Sequence, residues 1–387
     1  MSTRSFRRNM ARWVISGVAI AMVCAAAACT AQAGPKSPFT EPGRAQILRA
    51  LDDVVRSGAP GVQVVVTDQG HEWTATAGVG DIATGARFPD DGKVRIGSNT
   101  KSFVATVLLQ LTAEGRVVLD APVERYLPGV VRGNGIDGTR ITVRNLLQHT
   151  SGLADYLDLP GQQVDFDQVR WQRFDAADLV RRAMAVPPHF EPGAKAEYSN
   201  TNYLLAGMVV ERVTGQPIAA EIDRRIIQPL GLTGTYFPPP GDTGLRDPHP
   251  WGYLFRDGHR AEYTDLDPSL YGAAGAMVST GADLNRFFTA LLAGKLLPAA
   301  QVEEMRRNAV PVTNRNGRLY GLGLGHISVS CGKDVWGHGG GIPGFRTVDG
   351  VATDGRAVTV TVNQLSDSDA ETAAVRKAFD AAMCPTP

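Results

Sequence analysis

Strand-like patterns in this 387-residue chain lie near its two ends, and that separation restricts the fold more than any other feature. Gly61-Val-Gln-Val-Val-Val-Thr67 and His71–Val79 read as two strands joined by the turn Asp68-Gln69-Gly70. Strand patterns return after about residue 320: Gly321–Val329, a segment around Val335, and Arg356–Asn363, where Val358, Val360 and Val362 alternate. Residues 116–315 are helix and loop instead. Ala45–Val55 carries Ile47, Leu48, Leu51, Val54 and Val55 at helical spacing. Residues 99–114 form a strong helix pattern with Gly115 as its stop. Thr201–Val213 ends at Gly215, Ala282–Ala293 ends at Gly294, and a last helix runs over roughly Asp367–Met383. Phe237–Pro250 is too rich in Pro and Gly for regular structure. Strands at both termini around a helical middle imply an α+β fold. One antiparallel sheet is built from N- and C-terminal segments and flanked by helices, with an inserted mainly helical lobe and a cleft between. The sheet lobe is expected over about 43–98 and 316–387, the helical lobe over about 99–315. Together they make a single catalytic domain over 34–387, where length alone suggests two or three domains.

The N-terminus has a different character. Arg4, Arg7, Arg8 and Arg12 precede an apolar stretch from Trp13 to Ala28, and Ala31-Gln32-Ala33 follows. That is the anatomy of a secretory signal peptide over 1–33. A retained anchor is the bland alternative, although the apolar stretch is shorter than the roughly 20 residues a membrane span needs. Lipid attachment at Cys29 is a second alternative. Removing the signal turns the balanced count of 39 Lys+Arg against 39 Asp+Glu into 35 against 39, a charge of −4. No cationic excess then favours nucleic acid. Only Cys331 and Cys384 remain, and two cysteines in an exported chain read as one disulfide, with free thiols as the alternative. No C-x-x-C or H-x-x-x-H spacing supports a metal, and no cofactor is implied. The expected partner is a small-molecule or peptide substrate, bound by a monomer.

Three short motifs carry chemistry. Ser98-Asn-Thr-Lys101 opens the strong helix, where the positive helix end favours developing negative charge. Lys101 lies three residues on, within reach of the Ser98 hydroxyl, and burial would make it a base for a serine nucleophile. Ser98 as an ordinary N-cap is the bland reading. Tyr198-Ser-Asn200 precedes another helix; its phenol, near two cationic groups, is expected to have a lowered pKa and to shuttle a proton. Asn200 would hold a substrate amide. Gly337-His338-Gly-Gly-Gly341 leads into a late strand. A flexible hairpin is the plain reading, and a strand edge bared for a substrate backbone, with His338 facing the nucleophile, is the functional one.

With Leu146-Leu-Gln-His149-Thr-Ser-Gly-Leu153, these segments resemble the serine penicillin-recognising enzymes, which include class C β-lactamases and D-alanyl-D-alanine carboxypeptidases. The resemblance spans essentially the whole chain after the signal. It implies a β-lactamase/transpeptidase-like fold and an acyl-enzyme on Ser98, with Lys101 as activator and Tyr198 as proton shuttle. Asn200 and the glycines Gly339, Gly340 and Gly341 would bind substrate, and the backbone N–H groups of Ser98 and Gly341 would form the oxyanion hole. His338 would stand for the lysine of a K-T-G motif and help to tune Tyr198, while His149 would hold its loop. Ser330-Cys331 followed by Gly337-His338 is most similar to secreted DD-carboxypeptidases, which carry a disulfide from that cysteine to the C-terminal helix, here Cys384.

The resemblance therefore implies a secreted carboxypeptidase or penicillin-binding type peptidase. Those enzymes grip a terminal carboxylate with two hydroxyl residues and an arginine, at positions that here are Gly339, Gly341 and Gly325. His326 or Arg346 are the candidate substitutes. The departure raises esterase, D-aminopeptidase or amidase activity in the same site, and β-lactamase activity is a further alternative. An α/β-hydrolase is excluded because no G-x-S-x-G elbow follows the glycine run. A non-enzymatic binding relative is disfavoured because every reacting residue is present.

Overall fold

The computed structural model describes residues 39–386, apart from the side chains of residues 162 and 163. The expected signal segment 1–33 and Cys29 lie outside the described residues. Helix α1 (Glu41–Arg56) is capped by Thr40, whose hydroxyl accepts from Gly43 N–H, and buries Ile47, Leu51 and Val54 along one stripe. Strands β1 (Gly61–Asp68) and β2 (His71–Gly78) follow, joined through Gln69 and Gly70, both at positive φ. Helix α2 (Thr100–Ala113) is preceded by one 3-10 turn, Gly97–Asn99, and stops before Gly115 at φ 72°. Further on come α3 (Asn200–Thr214) and α4 (Gly281–Leu292), each followed closely by a glycine at positive φ. The C-terminal part supplies strands β3 (Val310–Val312), β4 (Arg318–Tyr320), β5 (Gly325–Ile327), β6 (Val335–Ile342), β7 (Phe345–Ala352) and β8 (Ala357–Val362). Helix α5 (Asp369–Met383), capped by Ser368, closes the chain.

These strands form one eight-stranded antiparallel sheet in the order β3-β4-β5-β6-β7-β8-β1-β2. The N-terminal hairpin thus docks on the end of a C-terminal meander, with Val64 opposite Val360. On one face α1 and α5 enclose Val62, Val64, Val66, Val358, Val360 and Val362. On the other face α2 and α4 lie within the larger core, where Phe103 stacks on Phe287 at 3.7 Å. Both faces are covered, so β1 and β8 bury polar as well as apolar positions: Thr359 donates to Asn285 Oδ1 of α4 at 2.8 Å. Truncating a fully buried residue such as Leu51 to Ala would cost roughly 2–5 kcal/mol.

Several elements differ from the sequence expectation. Of the single strand expected over Gly321–Val329 only β5 is strand; residues 321–324 form the turn from β4, where Gly323 sits at φ 75° with Ala105 of α2 only 2.4 Å from where its Cβ would be. The glycine run Gly337–Gly341 lies inside β6 rather than ahead of a strand. Strand β7 was unforeseen, since both its faces are covered and its sequence does not alternate. The helical middle also holds a hairpin, Tyr253–Arg256 with His259–Glu262, to which Gln364–Ser366 adds in parallel. Its Asp257-Gly258 turn, both residues at positive φ, was a legible hairpin signal. Cys331 and Cys384 form a disulfide that ties the β5–β6 connection to the end of α5. Among the described residues, no helix is long and apolar enough to cross a membrane, and no cluster of three or more His, Cys, Asp or Glu could hold a metal ion.

Candidate active site

The nucleophile candidate sits in the 3-10 turn rather than at the helix cap. Gly97 takes φ 50°, a conformation that strains any L side chain, and Thr100 Oγ1 donates back to Gly97 O at 2.8 Å. Asn99 occupies the N-cap of α2 without a side-chain cap bond, so the Ser98 hydroxyl is not used for capping. Ser98 is half-buried and Lys101 fully buried, one helical turn on.

Lys101 Nζ lies 3.1 Å from Ser98 Oγ, 2.7 Å from Asn200 Oδ1 and 2.7 Å from the carbonyl of Ala274. Burial holds its pKa well below the ordinary lysine value; Asp155 opposes that effect and Arg315 adds to it. A neutral amine fits these contacts: two N–H groups serve the two carbonyl oxygens, and the lone pair faces the serine hydroxyl. Asn200 is engaged at both ends. Its Nδ2 donates to Asp155 Oδ2 at 2.8 Å, and its backbone N–H reaches the same oxygen at 3.1 Å. The carboxamide expected to hold a substrate amide is therefore also the link between Lys101 and Asp155. Burial raises the Asp155 carboxyl, so the pair moves toward its neutral forms. Nothing in the spacing around Asp155 singled it out in the sequence.

Tyr198 hydrogen-bonds Ser98, and its ring lies 4.9 Å from Lys101 Nζ. Its pKa corrects the expectation of a lowered phenol: burial dominates and pushes it up to about 12, with Arg315 and the Ser98 hydrogen bond opposing. The phenol is thus a proton donor in its resting state. Beneath it, His149 is buried at φ 60° with its ring 4.2 Å from the Tyr198 ring. Its Nδ1 accepts from Ser199 N–H at 3.2 Å and sits 3.2 Å from Asn202 Nδ2. Burial holds it neutral, well below the usual histidine range.

His338 is placed differently from the expected partner of Tyr198. Its Nε2 meets Tyr320 Oη at 2.8 Å, and its Nδ1 lies 2.6 Å from Gly339 O and 2.9 Å from Gly339 N. Tyr320, which the sequence reading missed, stands between, its ring edge-on to Tyr198 with centroids 6.1 Å apart. Burial also holds His338 neutral.

The glycines of β6 are explained by close approach. A Cβ on Gly340 would lie 1.9 Å from Ile96 O, and one on Gly97 would lie 3.0 Å from Gly341 N. Bare backbone therefore lets β6 press against the nucleophile turn, bringing the Gly341 and Ser98 main chains together. Strand β5 pairs with β6 only over Val335–Gly337, so Gly339–Gly341 have β7 on one side and the nucleophile turn on the other. Neither candidate for the missing cation is available. His326 Nε2 faces Asp334 at 3.2 Å, and Arg346 bonds Thr372 and Ser366 O. The guanidinium that reaches Gly325 belongs to Arg318 on β4. Its Nε would lie 3.0 Å from a Cβ on Gly325, and its buried Nη2 has no hydrogen-bond partner.

The beta-lactamase family profile matches residues 44–382. The chain belongs to the beta-lactamase family. A D-stereospecific amidohydrolase from Streptomyces sp. is 41% identical, with TM-score 0.79, over 89% of this chain and 99% of that one. A D-amino acid amidase from Ochrobactrum anthropi SV3, solved with L-phenylalanine amide, is 28% identical with TM-score 0.77, over 88% of this chain and 98% of that one. Esterase EstB from Burkholderia gladioli is 32% identical over 278 residues, 65% of this chain and 70% of that protein. The chain is a serine hydrolase with the mixed α/β architecture of this family.

Proposed function

We propose that the protein is an exported amidohydrolase and esterase that acylates Ser98 with small D-configured acyl groups, such as D-amino acid amides and esters. The observation that carries this reading is the bare floor of the site. Gly325, Gly339 and Gly341 supply no hydroxyl or cation of their own for a terminal carboxylate. Similarity to the Streptomyces amidohydrolase over nearly the whole chain supports it.

In this reading Ser98 Oγ attacks the carbonyl carbon as its proton passes to Lys101 Nζ. The backbone N–H groups of Ser98 and Gly341 receive the oxyanion, donors whose individual loss costs on the order of 10²–10³ in rate. Tyr198 gives its proton to the leaving nitrogen or oxygen and regains one from the Lys101 ammonium. Water then attacks the acyl-enzyme by the reverse route. The second reading, a D-peptide carboxypeptidase, is favoured by one observation: the unpartnered Nη2 of Arg318 beside Gly325.

A fluorophosphonate probe and a substrate panel test both. Ser98 is expected to be labelled in the wild type and not in Ser98→Ala; an unlabelled wild type, or equal labelling of the two, removes the acyl-enzyme. D-phenylalanine amide and its p-nitrophenyl ester are expected to exceed an acyl-D-Ala-D-Ala peptide in kcat/KM. The reverse order selects the carboxypeptidase. Detection of the processed chain outside the cytoplasm, starting near residue 34, tests export.

A further inference from the structure

Tyr198 is held by a segment outside all three motifs, the turn from Thr313 to Asn316 between β3 and β4. One side chain satisfies both main-chain groups of the tyrosine. Asn314 Oδ1 accepts from Tyr198 N–H at 2.8 Å, and Asn314 Nδ2 donates to Tyr198 O at 3.1 Å. Thr313 anchors the approach, with its N–H and its hydroxyl each 3.0 Å from Ala196 O. Asn316, at φ 55°, turns the chain back into β4. The residue between them, Arg315, is exposed, yet it lies over the catalytic ring with Cζ 4.4 Å from its centroid.

We infer that Asn314 and Arg315 are positioning residues for the proton donor. Asn314 fixes the tyrosine backbone, and Arg315 stabilises the phenolate that appears while Tyr198 protonates the leaving group. The inference rests on the serine–lysine–tyrosine reading above. As the Ser98 Oγ–carbon bond forms and the carbon–nitrogen bond breaks, the serine proton goes to Lys101 Nζ and the phenol proton to the leaving nitrogen. Lys101 then returns a proton to the phenolate, so Lys101 and Tyr198 end as they began and the proton given up by Ser98 departs on the amine. Tyr198 needs such help. Burial holds its proton tightly, and of the influences that oppose burial, Arg315 is the largest. His149 and His338, the buried rings around it, are held neutral and contribute no charge. A cation at the exposed face of the ring strengthens the acid from outside the dry site.

The leaving group separates this role from simple packing. An amide nitrogen must be protonated to depart, whereas p-nitrophenolate leaves without a proton. Arg315→Met is expected to lower kcat/KM for D-phenylalanine amide on the order of tenfold or more, a part of the 10²–10⁴ that a positioned acid contributes. The p-nitrophenyl ester of the same acyl group should change less than about twofold. Arg315→Lys keeps the charge and should recover most of the amide activity. Arg315 is exposed, so the fold should tolerate these changes, and Arg315→Gln repeats the comparison if the methionine variant expresses poorly. Equal losses on both substrates, no loss on either, or a lysine variant no better than methionine would each overturn the inference while leaving the function intact. A wild type that neither labels at Ser98 nor turns over either substrate removes the underlying reading itself.

Discussion

Asp349 lies at the middle of β7, opposite His338 in register and fully buried, and Asp349→Asn is expected to stabilise the protein increasingly as pH rises. Its Oδ1 accepts from Thr359 Oγ1 at 3.1 Å, while its Oδ2 has no partner. Asn99, the neighbour of the nucleophile, donates to Thr347 and to Ile96 O, and leaves its own Oδ1 equally unpartnered. Burial pushes the carboxyl from its ordinary 3.8 up to about 7, against the opposing influence of the nearby polar groups of Asn99, Thr359 and Thr347 and the charge of Arg318. The folded protein therefore binds this proton more tightly than the unfolded chain, so stability is lost as pH climbs between those two values. Over the full span that amounts to about 4 kcal/mol, of which about 3 falls between pH 4.5 and 8. For a domain of about 350 residues this is about 4 °C in Tm. The amide is nearly isosteric and cannot ionise, so the difference between variant and wild type isolates this one group from every other carboxylate. Thermal unfolding of both proteins from pH 4.5 to 8.5 should show the Asn variant gaining steadily on the wild type. A Tm difference that stays constant within about 1 °C would refute the claim that a buried proton resides here.

Two further outcomes follow from the close contacts of Gly340 on β6 and Gly325 on β5. Gly340→Ala would force a Cβ to 1.9 Å from Ile96 O, backbone that cannot yield cheaply; Ser98 labelling by a fluorophosphonate should slow by at least about 10²-fold in a folded protein, and labelling within about threefold of wild type would show that this contact does not set the oxyanion edge. Gly325→Arg would bring a second guanidinium onto Arg318. It should cost about 1–3 kcal/mol without raising turnover of an acyl-D-Ala-D-Ala peptide, and the added Arg318→Ala change should relieve the cost; a gain in peptide turnover from Gly325→Arg alone would show that Arg318 moves aside.

The strands at the termini, the main helices and their stop glycines were legible because each writes a local pattern: alternation, a 3.6 period, or a residue free to take positive φ. Strand β7 was not, because Phe345–Ala352 is covered on both faces and then has no reason to alternate. The hairpin at Tyr253–Glu262 was missed although Asp257-Gly258 marks its turn, since only four residues flank it on each side. In the site, types and spacing pointed to Ser98, Lys101, Tyr198 and Asn200, and the structure brings these together. Asp155, Tyr320, Arg315 and Arg318 could not be read in the same way. Each acts on the site through a neighbour brought near by folding: Asp155 through Asn200, Tyr320 through His338, Arg315 through the Tyr198 ring, and Arg318 through the space left at Gly325.

Burial also reversed the sign of one expectation, and that reversal bears on how the site works. A phenol among cations should acidify, but the cations at hand are a lysine whose charge burial suppresses, an exposed arginine over the ring face and a half-buried arginine on β4. Lys101 and both histidines are shifted down, Asp155 and Tyr198 up, and in every case burial is the largest cause. The resting site is therefore held near its uncharged forms, and in the proposed mechanism charge arises when Ser98 passes its proton to Lys101. At that moment the acceptors already aimed at Nζ, Asn200 Oδ1 and Ala274 O, meet an ammonium, and the main chain at Ser98 and Gly341 meets an oxyanion. Contacts that are ordinary hydrogen bonds in the resting state become charge-assisted in the transition state, and only such a difference between states accelerates the reaction.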